Sequence, residues 1–174
     1  MTLLILTGAS GAGKTTIAEG VRDRYGDKVD VLFFDSIGVP SLEEFVRLRE
    51  AGVNWQRDKT FEWLARIAAR PGGKPTLFEG STQIKYLHEA AGAAGLAAKI
   101  ILIDCDDATR TERLHGPRGQ PELANTDMSN WARYLRDQAR EFGCEIWDTS
   151  HCSLDVSVAH VGKQLLGQKE QPKT

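Results

Sequence analysis

Short apolar runs alternate along the chain with stretches in which apolar residues recur every three to four positions. The first pattern is that of a strand and the second that of a helix. Leu3 to Thr7 is such a run, and Ile17, Ala18 and Val21 share one face of a helix over Lys14 to Arg24. Val29 to Phe34 is β-branched and aromatic, which predicts a second strand. Pro40-Ser41 followed by Glu43-Glu44 marks a helix start, with Phe45, Val46 and Leu48 as its apolar side. The next helix, from about Asp58 to Arg70, uses Phe61, Leu64, Ala65 and Ala68 and stops at Pro71-Gly72-Gly73.

Thr76 to Phe78 predicts a third strand ending at Glu79-Gly80, followed by a helix over Ile84 to Ala94. Lys99 to Ile103 is the fourth strand, its unbroken Ile100-Ile101-Leu102-Ile103 run marking burial on both faces. A helix over Ala108 to Leu114 leads into a Gly- and Pro-bearing break from His115 to Glu122. Asp127 to Phe142 resumes as an amphipathic helix with Met128, Trp131, Leu135 and Phe142 as its stripe. Glu145 to Trp147 is a fifth strand candidate, and Leu154 to Leu166 a closing helix. Five strands separated by helices imply an α/β fold, one parallel sheet covered on both faces. The expected organisation is a single domain over residues 1–167 with a polar tail over 168–174.

Length and composition agree with that picture. A chain of 174 residues, 41% apolar and 26% charged, suits one hydrophobic core. The net charge of −2 speaks against a whole-surface attraction to nucleic acid or to an anionic membrane, while leaving room for a local basic cleft. No apolar run reaches membrane-spanning length, and the opening Met1 to Leu6 lacks the basic region of a signal peptide. Cys105, Cys144 and Cys152 are odd in number and widely spaced, which points to reduced thiols and a cytoplasmic location. His88, His115, His151 and His160 lack ligand spacing. Composition leaves both a monomer and a homodimer open.

The segment that carries chemistry is Gly8-Ala9-Ser10-Gly11-Ala12-Gly13-Lys14-Thr15, a complete GxxxxGK[ST] phosphate loop between a strand and a helix. Its glycines let the backbone curl so that N–H groups meet phosphate oxygens, and the helix adds its positive end. Lys14 is expected at the β- and γ-phosphates, and the Thr15 hydroxyl at magnesium. Thr16 completes the expected ATP contacts.

With these residues the chain resembles the nucleoside and nucleotide kinase superfamily, whose relatives include adenylate, guanylate, shikimate and gluconate kinases. The loop GASGAGKTT looks most like those of guanylate and uridine kinases. The resemblance covers about residues 3 to 166. It implies a three-layer P-loop fold with strand order 2-3-1-4-5, an acceptor-binding region at about 36–70 and a short lid at about 115–125. It also implies ATP, Mg2+ and a small-molecule phosphate acceptor.

Asp35, after the second strand, has two readings: the base and metal-side carboxylate of such kinases, or a cap on its own turn. Glu79 is placed either to orient magnesium-bound water or acceptor, or to support a turn by a salt bridge. Asp104 is a further metal-shell candidate, whereas Asp106 and Asp107 fit a helix start. Six arginines, Arg110, Arg113, Arg118, Arg133, Arg136 and Arg140, surround the break and the next helix. The spacing of Arg110, Arg113 and Arg118 resembles the lid of these kinases, and Arg133 their post-lid helix. Arg113, Arg118 and Arg133 are thereby catalytic candidates and Arg110 an ATP contact, while Arg136 and Arg140 read equally as a solvated face. Thr149 and Ser150, after Trp147-Asp148, resemble the loop that lies against adenine. Arg47, Arg49, Trp55, Arg57, Phe61 and Trp63 belong to the acceptor region, with Phe61 read as core and Trp55 placed near a break.

The expected activity is phosphoryl transfer from ATP to a hydroxyl of a small molecule. A nucleoside monophosphate kinase, a polynucleotide 5′-kinase and a regulatory ATPase without such an acceptor stay open as alternatives. Asp35-Ser36-Ile37-Gly38 matches the DxxG of GTPases, but the chain has no NKxD motif and the match follows the second strand.

Overall fold

The structure is a computed structural model and describes residues 2–167; the expected polar tail at 168–174 lies outside the described residues. Five strands, β1 (Leu3–Thr7), β2 (Asp30–Phe33), β3 (Thr76–Glu79), β4 (Ala98–Asp104) and β5 (Glu145–Asp148), form one parallel sheet. Its order is β2-β3-β1-β4-β5, as the resemblance implies. The helices are α1 (Lys14–Tyr25), α2 (Leu42–Glu50), α3 (Trp55–Ala68), α4 (Ile84–Ala93), α5 (Asp107–His115), α6 (Thr126–Glu141) and α7 (Leu154–Leu166). No helix among the described residues is long and apolar enough to cross a membrane.

The continuous apolar runs of β1 and β4 divide between two cores by the strand period of two. Leu3, Ile5, Ile100 and Leu102 join Trp63, Leu64, Ile67, Leu87 and Leu135 on the α3/α4/α6 face. Leu4, Leu6, Ile101 and Ile103 join Ile17, Val21, Val158 and Val161 on the α1/α7 face. Burial on both sides explains why these strands show no polar alternation.

Several boundaries move for physical reasons. Phe34 leaves β2 and enters a 3-10 helix over Phe34–Ile37, because its ring is buried against Gly80 and its carbonyl accepts from Trp63 Nε1 at 3.0 Å. Helix α3 starts three residues before Asp58: the Asn54 side chain accepts from Arg57 N, so Trp55 opens a helix instead of lying in a break. Phe45 and Val46 of α2 are not core; they are 41% and 46% exposed. Phe61 is half-buried, with the Arg57 guanidinium 4.4 Å from its ring centre. Phe142 lies outside the buried stripe of α6 and stacks on His88, while Gln138 and Ala139 are buried in its place.

Asn125 caps α6 by accepting from Met128 N at 2.9 Å. Asn125→Ala is expected to cost about 1 kcal/mol of stability; urea denaturation reads it, and an unchanged midpoint would show that this cap contributes nothing.

Candidate active site

The phosphate loop leaves β1 at the carboxyl edge of the sheet and returns as the first turn of α1. Gly8 passes so close to β4 that a Cβ there would stand 2.2 Å from the Ile103 carbonyl oxygen. Gly13, at the start of α1, has φ +96°, a conformation that side chains disfavour. The loop is braced from behind. Arg110 donates to Ser10 O at 3.1 Å, and Arg113 Nη1 donates to Gly11 O and Ala12 O at 3.3 Å each. The Thr149 hydroxyl donates to Ala12 O at 2.8 Å. In a trans peptide the N–H points opposite to the carbonyl. Holding the Ser10 and Ala12 carbonyls outward therefore turns the N–H groups of Gly11 and Gly13 to the other side, where an anion is received, while the Ala12 N–H donates within the loop to Ala9 O at 3.3 Å.

Lys14 and Thr15 converge on Glu79. The Thr15 hydroxyl donates to Glu79 Oε1 at 3.0 Å, and Lys14 Nζ lies 3.8 Å from the same oxygen. Strand pairing fixes this meeting, since Glu79 lies between Leu6 of β1 and Phe33 of β2. Both charges are buried, with Lys14 5% and Glu79 6% exposed. Burial pushes the Lys14 pKa down, opposed first by the Glu79 charge. Burial pushes the Glu79 pKa up, opposed by Lys14 and by the Thr15 hydrogen bond. Asp35, exposed on the 3-10 helix, is close enough for its charge to act on both groups, and so is Arg118. A cavity of about 470 Å³ opens beside the loop, bordered by Gly13, Thr15, Thr16, Arg113, Arg118 and Leu154.

Other candidates take different places. Both Asp104 oxygens are bound, Oδ1 by Arg110 at 3.1 Å and Oδ2 by Arg136 at 2.6 Å. Arg110 is itself buried and donates to Ser10 O of the loop, to Cys105 O and to Asp104. Arg133 is exposed, bonds Asn130 and borders a separate recess of about 270 Å³. Arg136, read from the sequence as one of a solvated set, is the α6 arginine that reaches the sheet edge; it follows buried Leu135, at the border of the apolar stripe. Thr149 also accepts from Arg113 and donates its N–H to Asp104 O, tying β4, β5 and the loop together. Ser150 accepts from Asp106 N and donates to Asp148.

The sequence places the residues around Glu79 in the acceptor region but assigns no individual role to Ser81 and Thr82 after β3. The Thr7 hydroxyl donates to Thr82 O at 2.6 Å, and Thr60 and Thr82 share a 3.0 Å hydrogen bond, which pins this turn beside the loop. Gln56 Nε2 donates to Ser81 O at 3.0 Å, and Trp131 Nε1 to Ser81 Oγ at 3.4 Å. The only sequence signal was the run of small and hydroxylated residues directly after Glu79.

The thiols carry no sign of nucleophilic use in Cys105 and Cys144, whose pKa values burial pushes up. Asp106 and Asp148 are held below the usual carboxylate range, Asp106 chiefly by the Thr109 N–H it caps and Asp148 by Ser150. Their stabilising effect is full above the unfolded pKa of about 3.9 and is lost as pH falls through the lower folded values. The paired variant Asp106→Asn/Asp148→Asn should therefore lose less stability than wild type as pH falls below about 4. Parallel acid-unfolding curves would remove this linkage.

The AAA domain profile matches residues 4–148. Among solved structures, a gluconokinase from Sinorhizobium meliloti 1021 aligns at TM-score 0.64 and 20% identity, over 94% of this chain and 91% of that one. A shikimate kinase from Acinetobacter baumannii, in complex with shikimate, aligns at TM-score 0.60 and 16% identity, over 98% and 96%. A sugar kinase from Janibacter sp. HTCC2649 aligns at TM-score 0.59 and 18% identity, over 95% and 94%. At these identities the likeness is one of fold. No curated protein sequence matches the chain. The profile spans most of the chain, including the loop, Glu79 and the arginines of α5: the chain belongs to the AAA domain family.

Proposed function

We propose that this protein transfers a phosphoryl group from ATP to a hydroxyl of a small molecule. The observation that carries the reading is the convergence of Lys14, Thr15 and Glu79 at the sheet edge, with Asp35 and Arg118 in electrostatic reach. The fold's likeness to a gluconokinase, a shikimate kinase and a sugar kinase supports it.

The donor set suits magnesium. Thr15 and Glu79 offer hard oxygens, and among the described residues no group of three or more His, Cys, Asp or Glu forms a closed metal cage. Mg2+ is commonly held by one or two protein oxygens together with phosphates and water. When bound, it neutralises charge on the phosphates. Thr15 is its direct protein ligand in this reading, with Glu79 and Asp35 on the metal side; Asp104, with both oxygens occupied, is left out.

The N–H groups of Gly11 and Gly13 bind the phosphate chain, and Lys14 follows the charge that grows on the transferring oxygens. Arg118, from the short break after α5, closes on the same oxygens and excludes water. Arg113 keeps the loop in shape while bordering the nucleotide cavity. Asp35 accepts the acceptor hydroxyl's proton at its carboxylate as that oxygen attacks.

The test is a panel of nucleosides, nucleotides, sugars, hydroxy acids and aminoglycosides with ATP and Mg2+, read by mass. A phosphorylated acceptor is expected. ATP hydrolysis that ignores every acceptor would instead favour a regulatory ATPase, the reading that the AAA family match alone would suggest.

A further inference from the structure

The lining of the 470 Å³ cavity beside the phosphate loop falls into two unlike parts. Gly13, Thr15 and Thr16 belong to the loop and receive phosphate. Pro117, from the break after α5, and Cys152 and Leu154, at the start of α7, bring a different surface to the same space. Leu154 is 47% exposed, and Pro117 is exposed as well. Both are anchored by their surroundings. The Ser153 side chain accepts from Val156 N and caps the helix that Leu154 opens. Around Pro117, Arg118 N donates to Arg113 O at 3.1 Å and Gln120 N to Leu114 O at 2.8 Å.

The polar groups at the end of β5 are engaged within the protein. The Thr149 hydroxyl donates to Ala12 O, its N–H to Asp104 O, and its carbonyl accepts from Arg113. The Ser150 N–H and hydroxyl both donate to Asp148, and its oxygen accepts from Asp106 N. Arg113 spends both terminal nitrogens on the loop and on Thr149. Among the described residues that border the cavity there is no carboxylate or carboxamide, the side chains that pair with the edge of a base.

Adenine and guanine share a bicyclic face and differ at their edges. Apolar side chains gain by covering the face and are indifferent to the edge. From the placement of Pro117 and Leu154 on the cavity that the phosphate loop opens, we infer that these two residues hold the nucleotide base by its faces, so that the donor site takes adenine and guanine nucleotides alike. The inference rests on the nucleotide half of the kinase reading above and not on its acceptor half.

The experiment is a calorimetric titration with ATP, GTP and inorganic tripolyphosphate in the presence of Mg2+. Wild type is expected to bind ATP and GTP with dissociation constants within about fivefold of one another. Leu154→Ser should weaken both nucleotides by about three- to tenfold and leave tripolyphosphate unchanged, since only the base loses apolar contact. Cys152, half-buried and a free thiol, gives a second reading in the unaltered protein. Its alkylation by iodoacetamide, followed by peptide mass, should slow with either nucleotide and not with tripolyphosphate.

A wider gap between ATP and GTP overturns the inference. So does a Leu154→Ser loss that is absent or equal for all three ligands, or a Cys152 that nucleotides fail to protect. The Cys152 arm and the wild-type ratio decide the matter even where the variant fails to fold. A protein that binds both nucleotides but phosphorylates no acceptor loses the kinase reading and keeps this one. Failure to bind any nucleoside triphosphate overturns both.

Discussion

Lys14→Ala is expected to lower phosphoryl transfer by about 100- to 1,000-fold, the scale of removing one donor that stabilises transition-state charge. The ammonium is buried beside the loop, and its low exposure means that water will not replace it fully. Its removal also leaves Glu79 buried without the charge that opposes its raised pKa, so ATP affinity should weaken as well. Steady-state kinetics and ATP titration read the two effects, with thermal melting to confirm that the variant folds. Wild-type values for both would remove the phosphate loop from the function.

Asp35→Asn is expected to lower the transfer step by about 100- to 10,000-fold, the range for losing a general base. ATP affinity should hardly change, because the Asp35 carboxylate stands outside the loop on the 3-10 helix after β2. Asparagine keeps the shape and can still cap a turn, which separates the two readings of this residue. A variant that transfers as fast as wild type, across neutral and anionic acceptors alike, would make Asp35 a turn residue only. Single-turnover measurement isolates the step from product release.

Much of this molecule was written in local patterns. The loop between β1 and α1 was readable because its chemistry is carried by consecutive residues, and the five strands because apolar runs and breaks alternate. Glu79 could be placed next to the loop because the resemblance implies an order that sets the third strand beside the first. The roles of the arginines could not. Arg110, Arg133 and Arg136 differ by where their helices pack and not by local sequence, and only tertiary contact turns Arg136 onto Asp104 and leaves Arg133 outside. Likewise Gln56, Ser81 and Trp131 are separated by 25 and 50 residues, so their meeting has no sequence signature. The exposed Phe45 and Val46 make the converse point: a helical apolar pattern gives a face, and the fold decides whether anything covers it.

The claim beneath all of this is that ATP consumption serves an acceptor. The direct measurement is the ratio of phosphorylated acceptor to ADP formed, followed together by mass in reactions with Mg2+ and each hydroxyl-bearing acceptor of the panel. The account predicts a ratio close to one and an ADP rate that falls when the acceptor is withheld. ADP released at the same rate with and without acceptor, and no phosphorylated product, would contradict it.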